Sequence, residues 1–251
     1  MSDIVIEARN LTMRYGHNLI QSNLNFQINQ GDIFVIMGGS GCGKSTLLKH
    51  MIGLYQPSEG DILFHGKNYF SATFQEQLDM RKSWGVTYQG GALLSDLTLA
   101  ENVALPIKQY TKLSTRETAE LVYYKLALVG LAGYENFYSS QISGGMCKRA
   151  GLARAIAIDP NVLFFDEPSA GLDPLSSRRM DDLILQLRDS TGATVVIVTH
   201  ELASIFAIGT NGIFLDAQTK TQLDTGSPLT LLHQSPHHLV RDFLSRGEYL
   251  E

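Results

Sequence analysis

The chain has 251 residues, of which 44% are hydrophobic and 18% charged, a composition typical of a globular protein with a sizeable core. It has 20 Lys and Arg residues against 25 Asp and Glu residues, and this formal charge of −5 excludes a dedicated nucleic-acid binder. Two cysteines, Cys42 and Cys147, are too few for a disulfide scaffold and fit a reducing compartment. The acidic start and the lack of any stretch of roughly 20 apolar residues predict neither a secretory signal nor a membrane span.

Apolar residues follow two different patterns along the chain. Residues 4–8 and 24–28 alternate with a period of two, which predicts half-buried antiparallel strands. Residues 33–37, 162–165 and 195–198 are wholly apolar, as in strands of a parallel sheet covered on both faces. All three runs end at residues suited to chemistry, and open parallel sheets bind ligands at the carboxyl ends of their strands.

Helix signals dominate between residues 90 and 158. Residues 98–101 and 114–117 both match the capping box, in which a hydroxyl and a carboxyl side chain satisfy free N–H groups of the first helical turn. Further on, Asp173 followed by Pro174 predicts another helix start. We therefore expect an α/β protein in which a helical segment is inserted into a parallel-sheet core.

Two groups of aromatic residues could lie either in the hydrophobic core or on a surface that binds a partner. Trp84, the only tryptophan, either lies in the core or lines a partner groove, and the core is favoured. The helical run 121–128, with Tyr123 and Tyr124, is a partner surface or helical core, and core is again the expectation.

The most specific motif is Gly-x-x-x-x-Gly-Lys-Ser, directly after the first apolar run and before an amphipathic helix. Glycines let backbone N–H groups turn inward, the helix N-terminus adds a positive dipole end, and Lys44 supplies a charge for β- and γ-phosphates. The Ser45 hydroxyl is a candidate ligand of Mg²⁺. The residues expected to bind ATP here are Gly38, Gly39, Ser40, Gly41, Cys42, Gly43, Lys44, Ser45 and Thr46.

Cys42 lies within this loop, at the start of the predicted helix. A helix dipole can lower the pKa of a thiol at this position. The sequence therefore predicts a reactive cysteine whose alkylation blocks activity and is prevented by bound ATP.

Two carboxylates and an imidazole follow the other apolar runs. Asp166 is expected to hold Mg²⁺ through its water shell, and Glu167 to orient the attacking water. The alternative for this pair is a loop that caps the next helix. His200 is placed to hydrogen-bond a γ-phosphate or the water, although a structural role is the commoner one for a single histidine.

Ser143, Gly144 and Gly145 begin a helix rich in small residues. A serine N-cap followed by two glycines forms a second, smaller phosphate cradle. In chain order, all these motifs together resemble the nucleotide-binding subunit of ABC transporters, and the resemblance covers essentially the whole chain.

This resemblance implies a P-loop NTPase fold of the RecA-like type. Residues 1–89 and 159–226 would form the ATP-binding core with an N-terminal antiparallel β subdomain. Residues 90–158 would form the helical signature subdomain, and residues 227–251 a C-terminal helical tail. ATP and Mg²⁺ are the implied cofactors, and the implied reaction is hydrolysis of ATP to ADP and phosphate.

The resemblance also implies a role for each motif. Tyr15 corresponds to the aromatic residue that stacks on adenine, Asp173 to the D-loop residue and His200 to the switch histidine. Gln89 corresponds to the glutamine that reaches Mg²⁺ and links the site to the membrane subunits. The implied catalytic residues are Glu167, His200 and Gln89, and the implied Mg²⁺ ligands are Ser45, Gln89 and Asp166.

The signature segment departs from the usual Leu-Ser-Gly-Gly-Gln, because Ile142 and Met146 stand at its two ends. Ser143, Gly144, Gly145 and Met146 correspond to the residues that bind the γ-phosphate of the nucleotide held by the opposite subunit. One chain carries one phosphate loop and one signature, so the family pattern implies a head-to-tail dimer with two ATP molecules at its interface.

Residues 89–94, 101–106, 143–149 and 239–244 look like the ATPases of bacterial MCE-type lipid transporters, such as the maintenance-of-lipid-asymmetry (Mla) group. The implied partners are a multispan permease, an MCE-domain protein and a small regulatory subunit, with phospholipid as cargo. The implied location is peripheral, at the cytoplasmic face of the inner membrane. The alternatives are the ATPase of an amino-acid or other small-solute importer and a soluble ABC ATPase outside transport.

Overall fold

The computed structural model describes residues 3–247, which divide into a first compact unit (residues 3–81 and 194–247) and a second one (residues 82–193). The strands of this part of the chain are β1 (Ile4–Tyr15), β2 (Asn18–Asn29), β3 (Ile33–Gly38), β4 (Glu59–Phe64), β5 (Lys67–Asn68), β6 (Trp84–Thr87), β7 (Val162–Asp166), β8 (Thr194–Val198), β9 (Asn211–Leu215) and β10 (Gln222–Thr225). The α-helices are α1 (Lys44–Met51), α2 (Phe74–Lys82), α3 (Leu99–Tyr110), α4 (Thr115–Leu128), α5 (Gly144–Ala155), α6 (Pro174–Thr191), α7 (Leu202–Ile208), α8 (Pro228–Gln234) and α9 (His238–Ser245).

The first unit contains both kinds of strand pairing. β1 pairs antiparallel with β2 and β4, and β5 pairs antiparallel with β4. β3 lies between β8 and β9 and is parallel to both, while β10 pairs antiparallel with β9. Every residue of β3 is buried, as predicted for a parallel strand covered on both faces.

The second unit combines a parallel strand pair with helices. β6 and β7 are parallel, with Thr87 opposite Phe165. Trp84 is 8% exposed and meets Phe164 edge to face, so its predicted place in the core is confirmed. Residues 88–161 contain α3, α4 and α5.

The tyrosines of α4 lie on its exposed side. Val122 and Leu126, one turn apart, are buried, whereas Tyr123 and Tyr124 are 56% and 55% exposed. The prediction that these tyrosines lie in the core is wrong, because the two positions between Val122 and the buried pair Lys125 and Leu126 face away from the packed side of the helix.

Local hydrogen bonds explain where three helices begin. Thr98 Oγ1 accepts a hydrogen bond from the Glu101 N–H at 3.2 Å, and the Glu101 carboxylate accepts one from the Thr98 N–H at 2.8 Å. Ser114 and Glu117 form the same capping box at α4. The Asp173 carboxylate caps α6. Caps of this kind contribute about 1 kcal/mol each, and all three were predicted from the sequence.

The predicted class is confirmed as α/β, with an antiparallel N-terminal sheet, buried parallel strands and a helical segment between β6 and β7. Within residues 3–247, every helix is too short or too polar to cross a lipid bilayer.

Candidate active site

The phosphate loop (residues 38–45) follows a path that only glycine can take at several points. Gly38, Gly41 and Gly43 have φ angles of 140°, 76° and 100°. A Cβ atom at Gly38 would lie 2.3 Å from the Leu215 carbonyl oxygen, and one at Gly43 would lie 2.7 Å from Cγ2 of Ile20. Gly38 and Gly43 are therefore required by both backbone conformation and space, and Gly41 is required by backbone conformation alone.

Lys44 places a cation on this loop. Its Nζ donates hydrogen bonds to the carbonyl oxygens of Gly38 and Gly39, both at 2.9 Å. α1 begins at Lys44, and its N-cap Gly43 has no side chain to accept hydrogen bonds from the first-turn N–H groups. A cation beside an uncapped helix N-terminus is an arrangement that binds anions such as phosphate.

Cys42 is only 1% exposed within the loop. Burial raises the pKa of its thiol, and this effect outweighs the opposing attraction of the Lys44 charge. The prediction of a thiol with a lowered pKa is therefore wrong, because desolvation of the thiolate exceeds the stabilisation by the helix N-terminus.

Tyr15, the candidate adenine-stacking residue, ends β1 and is 43% exposed. Its ring meets Tyr55 at an interplanar angle of 87°, with ring centroids 5.5 Å apart. The contact is edge to face rather than stacked, and the exposed aromatic surface of this pair is suited to a planar base.

His200 lies at the same sheet edge as the phosphate loop. Ile36 of β3 is opposite Val198, the last residue of β8, in parallel register, and β3 ends two residues after Ile36, at Gly38. His200 is exposed, while the preceding Thr199 is buried and its Oγ1 accepts a hydrogen bond from the Glu201 N–H at 3.1 Å. The structure thus places His200 and the phosphate loop at the same sheet edge of the first unit, as predicted.

Asp166, Glu167 and Gln89 lie at one edge of the strand pair in the second unit. Thr87 is opposite Phe165, so Gln89 follows β6 where the two carboxylates follow β7. Asp166 is buried, and Glu167 has a φ angle of 51°. A glutamate in the left-handed region costs on the order of 1–3 kcal/mol, and backbone strain of this kind clusters at functional sites.

Tyr88 adjoins these residues, and the sequence interpretation did not single it out. Burial raises the pKa of its hydroxyl, and the negative charge of Asp166 raises it further. The phenol is therefore a neutral neighbour of the Asp166 carboxylate. In the sequence, only its position next to Gln89 indicates that Tyr88 lies near the site.

Arg154 joins α5 to the loop that follows Gln89. Its guanidinium donates to the Ala92 carbonyl oxygen at 2.7 Å and to the Gly91 carbonyl oxygen at 3.1 Å. The backbones also approach closely, because a Cβ at Gly91 would lie 2.7 Å from the Cys147 carbonyl oxygen and one at Gly151 would lie 2.8 Å from that of Gly91. These contacts were not predicted, since each joins residues far apart in the chain.

The signature segment forms the N-terminus of α5. Ser143 is the N-cap, and its Oγ accepts a hydrogen bond from the Met146 N–H at 3.3 Å. Ser143 and Gly144 are exposed, and a Cβ at Gly145 would lie 3.3 Å from Leu172. The cap uses the backbone of Met146 and not its side chain, so methionine in place of glutamine leaves the helix start intact.

Asp173, the candidate D-loop residue, caps α6. The Asp173 carboxylate accepts hydrogen bonds from Ser176 and from the Leu175 N–H, the latter at 3.1 Å. These hydrogen bonds hold the pKa of this carboxyl below its usual range. Its side chain is therefore ionised and engaged in local structure.

Magnesium fits the chemistry of the three candidate ligands. Ser45, Gln89 and Asp166 offer a hydroxyl, an amide oxygen and a carboxylate, and Mg²⁺ prefers such hard oxygen donors. Residues 3–247 contain no cluster of three or more His, Cys, Asp or Glu side chains suited to a metal ion. Mg²⁺ bound with a nucleotide uses one or two protein ligands together with phosphate oxygens and water.

Residues 21–170 match the family described as ABC transporter, so the match includes the phosphate loop, the signature and Asp166. The chain belongs to this family. The cassette is accordingly an ATPase that takes ATP and Mg²⁺, and the resemblance inferred from its motifs is confirmed.

Two curated relatives illustrate where the cassette lies in the family. It is 41% identical over 83% of its length to the intermembrane phospholipid transport system ATP-binding protein MlaF of Haemophilus influenzae, and covers 79% of that protein. It is 36% identical over 96% of its length to the "Probable ribonucleotide transport ATP-binding protein mkl" of Mycobacterium tuberculosis strain H37Rv, and covers 67% of that protein.

A solved structure supports both the fold and the reaction. The ATP-binding cassette MJ0796, dimeric in a post-hydrolysis state bound to ADP and Pi, superposes with a TM-score of 0.80 and 28% identity. The similarity covers 88% of this cassette and 98% of that chain.

Proposed function

We propose that this cassette is the ATP-hydrolysing subunit of a phospholipid transport system, bound peripherally at the cytoplasmic face of the inner membrane. The observation that carries the proposal is the 41% identity to a protein named for intermembrane phospholipid transport. The resemblance of residues 89–94, 101–106 and 143–149 to the MCE-type group supports it independently of that name.

The phosphate loop binds the triphosphate of ATP. Glycine at residues 38, 41 and 43 keeps the backbone accessible, and the N-terminus of α1 and Lys44 supply positive charge. Tyr15 offers its exposed ring to the adenine. Ser40, Cys42 and Thr46 contribute backbone or hydroxyl groups of the same segment.

Hydrolysis requires a positioned water and a stabilised γ-phosphate. Glu167 orients the water, helped by the fixed turn that its left-handed backbone produces, and His200 hydrogen-bonds the γ-phosphate from the end of β8. Ser45, Gln89 and Asp166 would hold Mg²⁺, which when bound neutralises charge on the β- and γ-phosphates. Each chain thus supplies phosphate-binding, metal-binding and water-orienting groups.

A second copy of the chain completes each site. The N-terminus of α5 has exposed Ser143 and Gly144, which suits it to a phosphate of the nucleotide held by the partner subunit. The dimeric relative bound to ADP and Pi supports a dimer. The head-to-tail arrangement is inferred from the one phosphate loop and one signature that each chain carries. Asp173 lies in the loop that follows Glu167 and would contact the same interface.

The membrane partners are a multispan permease, an MCE-domain protein and a small regulatory subunit. Arg154 ties α5 to residues 91 and 92, directly after Gln89. A displacement of α5, the helix that begins with the signature segment, is therefore transmitted on ATP binding to the loop after Gln89. This loop is the segment expected to face the permease.

Affinity isolation from native membranes tests this proposal. The Glu167→Gln protein, held in its ATP-bound form, is purified in mild detergent and its partners are identified by mass spectrometry. A permease together with an MCE-domain protein is expected. Lys44→Ala, which weakens ATP binding, is the control for capture that depends on nucleotide.

A second candidate cargo comes from the relative named for ribonucleotide transport, to which the cassette is 36% identical over 96% of its length. Isolation of a solute-importer permease without an MCE-domain protein would favour this candidate. The ATPase assignment would stand in that case, and the phospholipid proposal would not.

A further inference from the structure

Gln21 is a completely buried polar residue of β2 that lies beneath the phosphate loop. Its Nε2 donates hydrogen bonds to the Cys42 carbonyl oxygen at 2.7 Å and to the Asp216 carbonyl oxygen at 2.8 Å. Both partners are acceptors, so the orientation of the amide is fixed. One side chain therefore links the phosphate loop to the end of β9.

The hydrogen bond to Cys42 sets the orientation of one peptide plane in the loop. The described chain has no cis peptide bonds, and in a trans peptide the Cys42 carbonyl and the Gly43 N–H point in opposite directions. Holding the carbonyl against Gln21 therefore directs the Gly43 N–H away from β2. N–H groups at this position of a phosphate loop are the ones that cradle phosphates.

The second anchor is itself held by a dense set of hydrogen bonds. The Asp216 carboxylate accepts from the Thr219 N–H at 2.9 Å and from the Thr219 hydroxyl at 2.8 Å. The Ser22 N–H, next to Gln21, donates to the Lys220 carbonyl oxygen at 2.8 Å. Gln21 thus ties the loop to a turn that local contacts already fix.

The other end of the Gln21 amide is not satisfied. Its Oε1 is buried and has no hydrogen-bond partner among residues 3–247. A buried acceptor without a partner destabilises the fold, and an apolar side chain of the same size would avoid this cost. Packing alone therefore does not account for glutamine here, whereas the two bonds made by Nε2 do.

We propose that Gln21 is a positioning residue that presets the Cys42–Gly43 peptide of the phosphate loop for the triphosphate of ATP. The inference rests on the proposed phosphate-binding role of residues 38–45. Gln21 touches the loop and not the nucleotide, so it acts through the Gly43 N–H.

Gln21→Met removes the donor and keeps the size of the side chain. The dissociation constant of Mg-ATP is expected to rise about tenfold, the effect of losing one well-aligned hydrogen bond to a phosphate. Gln222→Met is the matched control, because Gln222 also makes two backbone hydrogen bonds, with Asn25 at 2.8 and 2.7 Å, outside the phosphate loop. It is expected to lower the melting temperature with unchanged ATP affinity.

Gln21→Glu adds a readout that a purely structural role would not move. The introduced carboxyl group faces two carbonyl oxygens, so it donates a hydrogen bond only when protonated. Its ATP affinity, relative to wild type at the same pH, should recover as the pH falls from about 8 to about 6. The ATP affinity of Gln21→Met relative to the wild type should not change with pH. Both variants can be compared even when only part of each preparation is folded, because affinity is measured on the folded molecules.

The outcomes separate this inference from the proposed function. Unchanged ATP affinity in Gln21→Met, with a loss in Lys44→Ala, overturns the role of Gln21 alone. Unchanged affinity in both variants overturns the role of the phosphate loop as well. An equal loss in Gln222→Met, or a flat pH profile for Gln21→Glu, shows that Gln21 acts only through general stability.

Discussion

Arg154 on α5 donates a hydrogen bond to the Ala92 carbonyl oxygen at 2.7 Å, which fixes the signature helix to the loop after Gln89. The same guanidinium also reaches the Gly91 carbonyl oxygen at 3.1 Å. Burial lowers the pKa of Arg154, because desolvation disfavours its charged form. The two carbonyls therefore compensate for partial burial of a charge.

Replacing Arg154 by methionine should destabilise the protein by about 2–3 kcal/mol, since it removes hydrogen bonds from a charged donor and leaves two carbonyl oxygens without it. Urea unfolding monitored by circular dichroism measures this change. Arg116→Met is the control, because Arg116 forms only an exposed i, i+4 ion pair with Glu120 and should change stability by less than about 0.5 kcal/mol. Equal effects of the two substitutions would contradict the inferred link.

Two neighbouring glycines should respond differently to alanine. A Cβ at Gly38 would lie 2.3 Å from the Leu215 backbone oxygen, whereas none of the surrounding atoms lies within 4 Å of a Cβ at Gly39. Gly38→Ala should cost at least about 2 kcal/mol of folding free energy, and Gly39→Ala less than about 1 kcal/mol. Thermal unfolding of the two variants checks this, and similar melting temperatures would show that the loop backbone is placed differently.

Glu167→Gln should retain ATP binding and lose hydrolysis by about 10²–10⁴-fold, because an amide cannot accept the proton of the attacking water. Steady-state phosphate release and nucleotide binding measure the two effects separately. Glu120→Gln makes the same chemical change on the exposed face of α4 and should leave turnover unchanged. Near-normal turnover of Glu167→Gln would refute its catalytic role.

His50 makes stability dependent on pH. It is 1% exposed, with Nδ1 2.8 Å from the Thr46 carbonyl oxygen, and burial lowers the pKa of its imidazole. The unfolded chain therefore gains a proton near pH 6.5 before the folded chain does. The contribution of neutral, buried His50 to the free energy of unfolding is therefore present above about pH 6.5 and is lost as the pH falls below that value.

The difference in unfolding free energy between pH 7.5 and pH 5.5 should accordingly be smaller in His50→Gln than in the wild type. His17→Gln, at an exposed position, should keep the wild-type difference. The role of His50 is refuted when its substitution leaves the pH dependence unaltered.

Features that depend on residues close in sequence were predictable. The capping boxes at Thr98 and Ser114, the Asp173 cap and the buried β3 run each reflect local chemistry or periodicity, and the structure contains them all. The glycines of the phosphate loop are predicted for the same reason, because their motif lies within eight residues.

Features that depend on long-range contacts were not predictable. The position of Cys42 at a helix start predicts a lowered thiol pKa, yet burial of this side chain raises that pKa. The close approach of Gly91 to α5, and the contact of Gln21 with residues 42 and 216, join segments far apart in the chain. Sequence spacing carries no information about such contacts.

The most direct test of the central claim is ATP-driven phospholipid movement in proteoliposomes that contain this cassette with its co-purified membrane partners. Transfer of a fluorescent phospholipid should require ATP with the wild-type cassette and stop with Glu167→Gln. ATP hydrolysis at the wild-type rate without any phospholipid transfer, in a complex that instead moves a soluble substrate, would contradict the account.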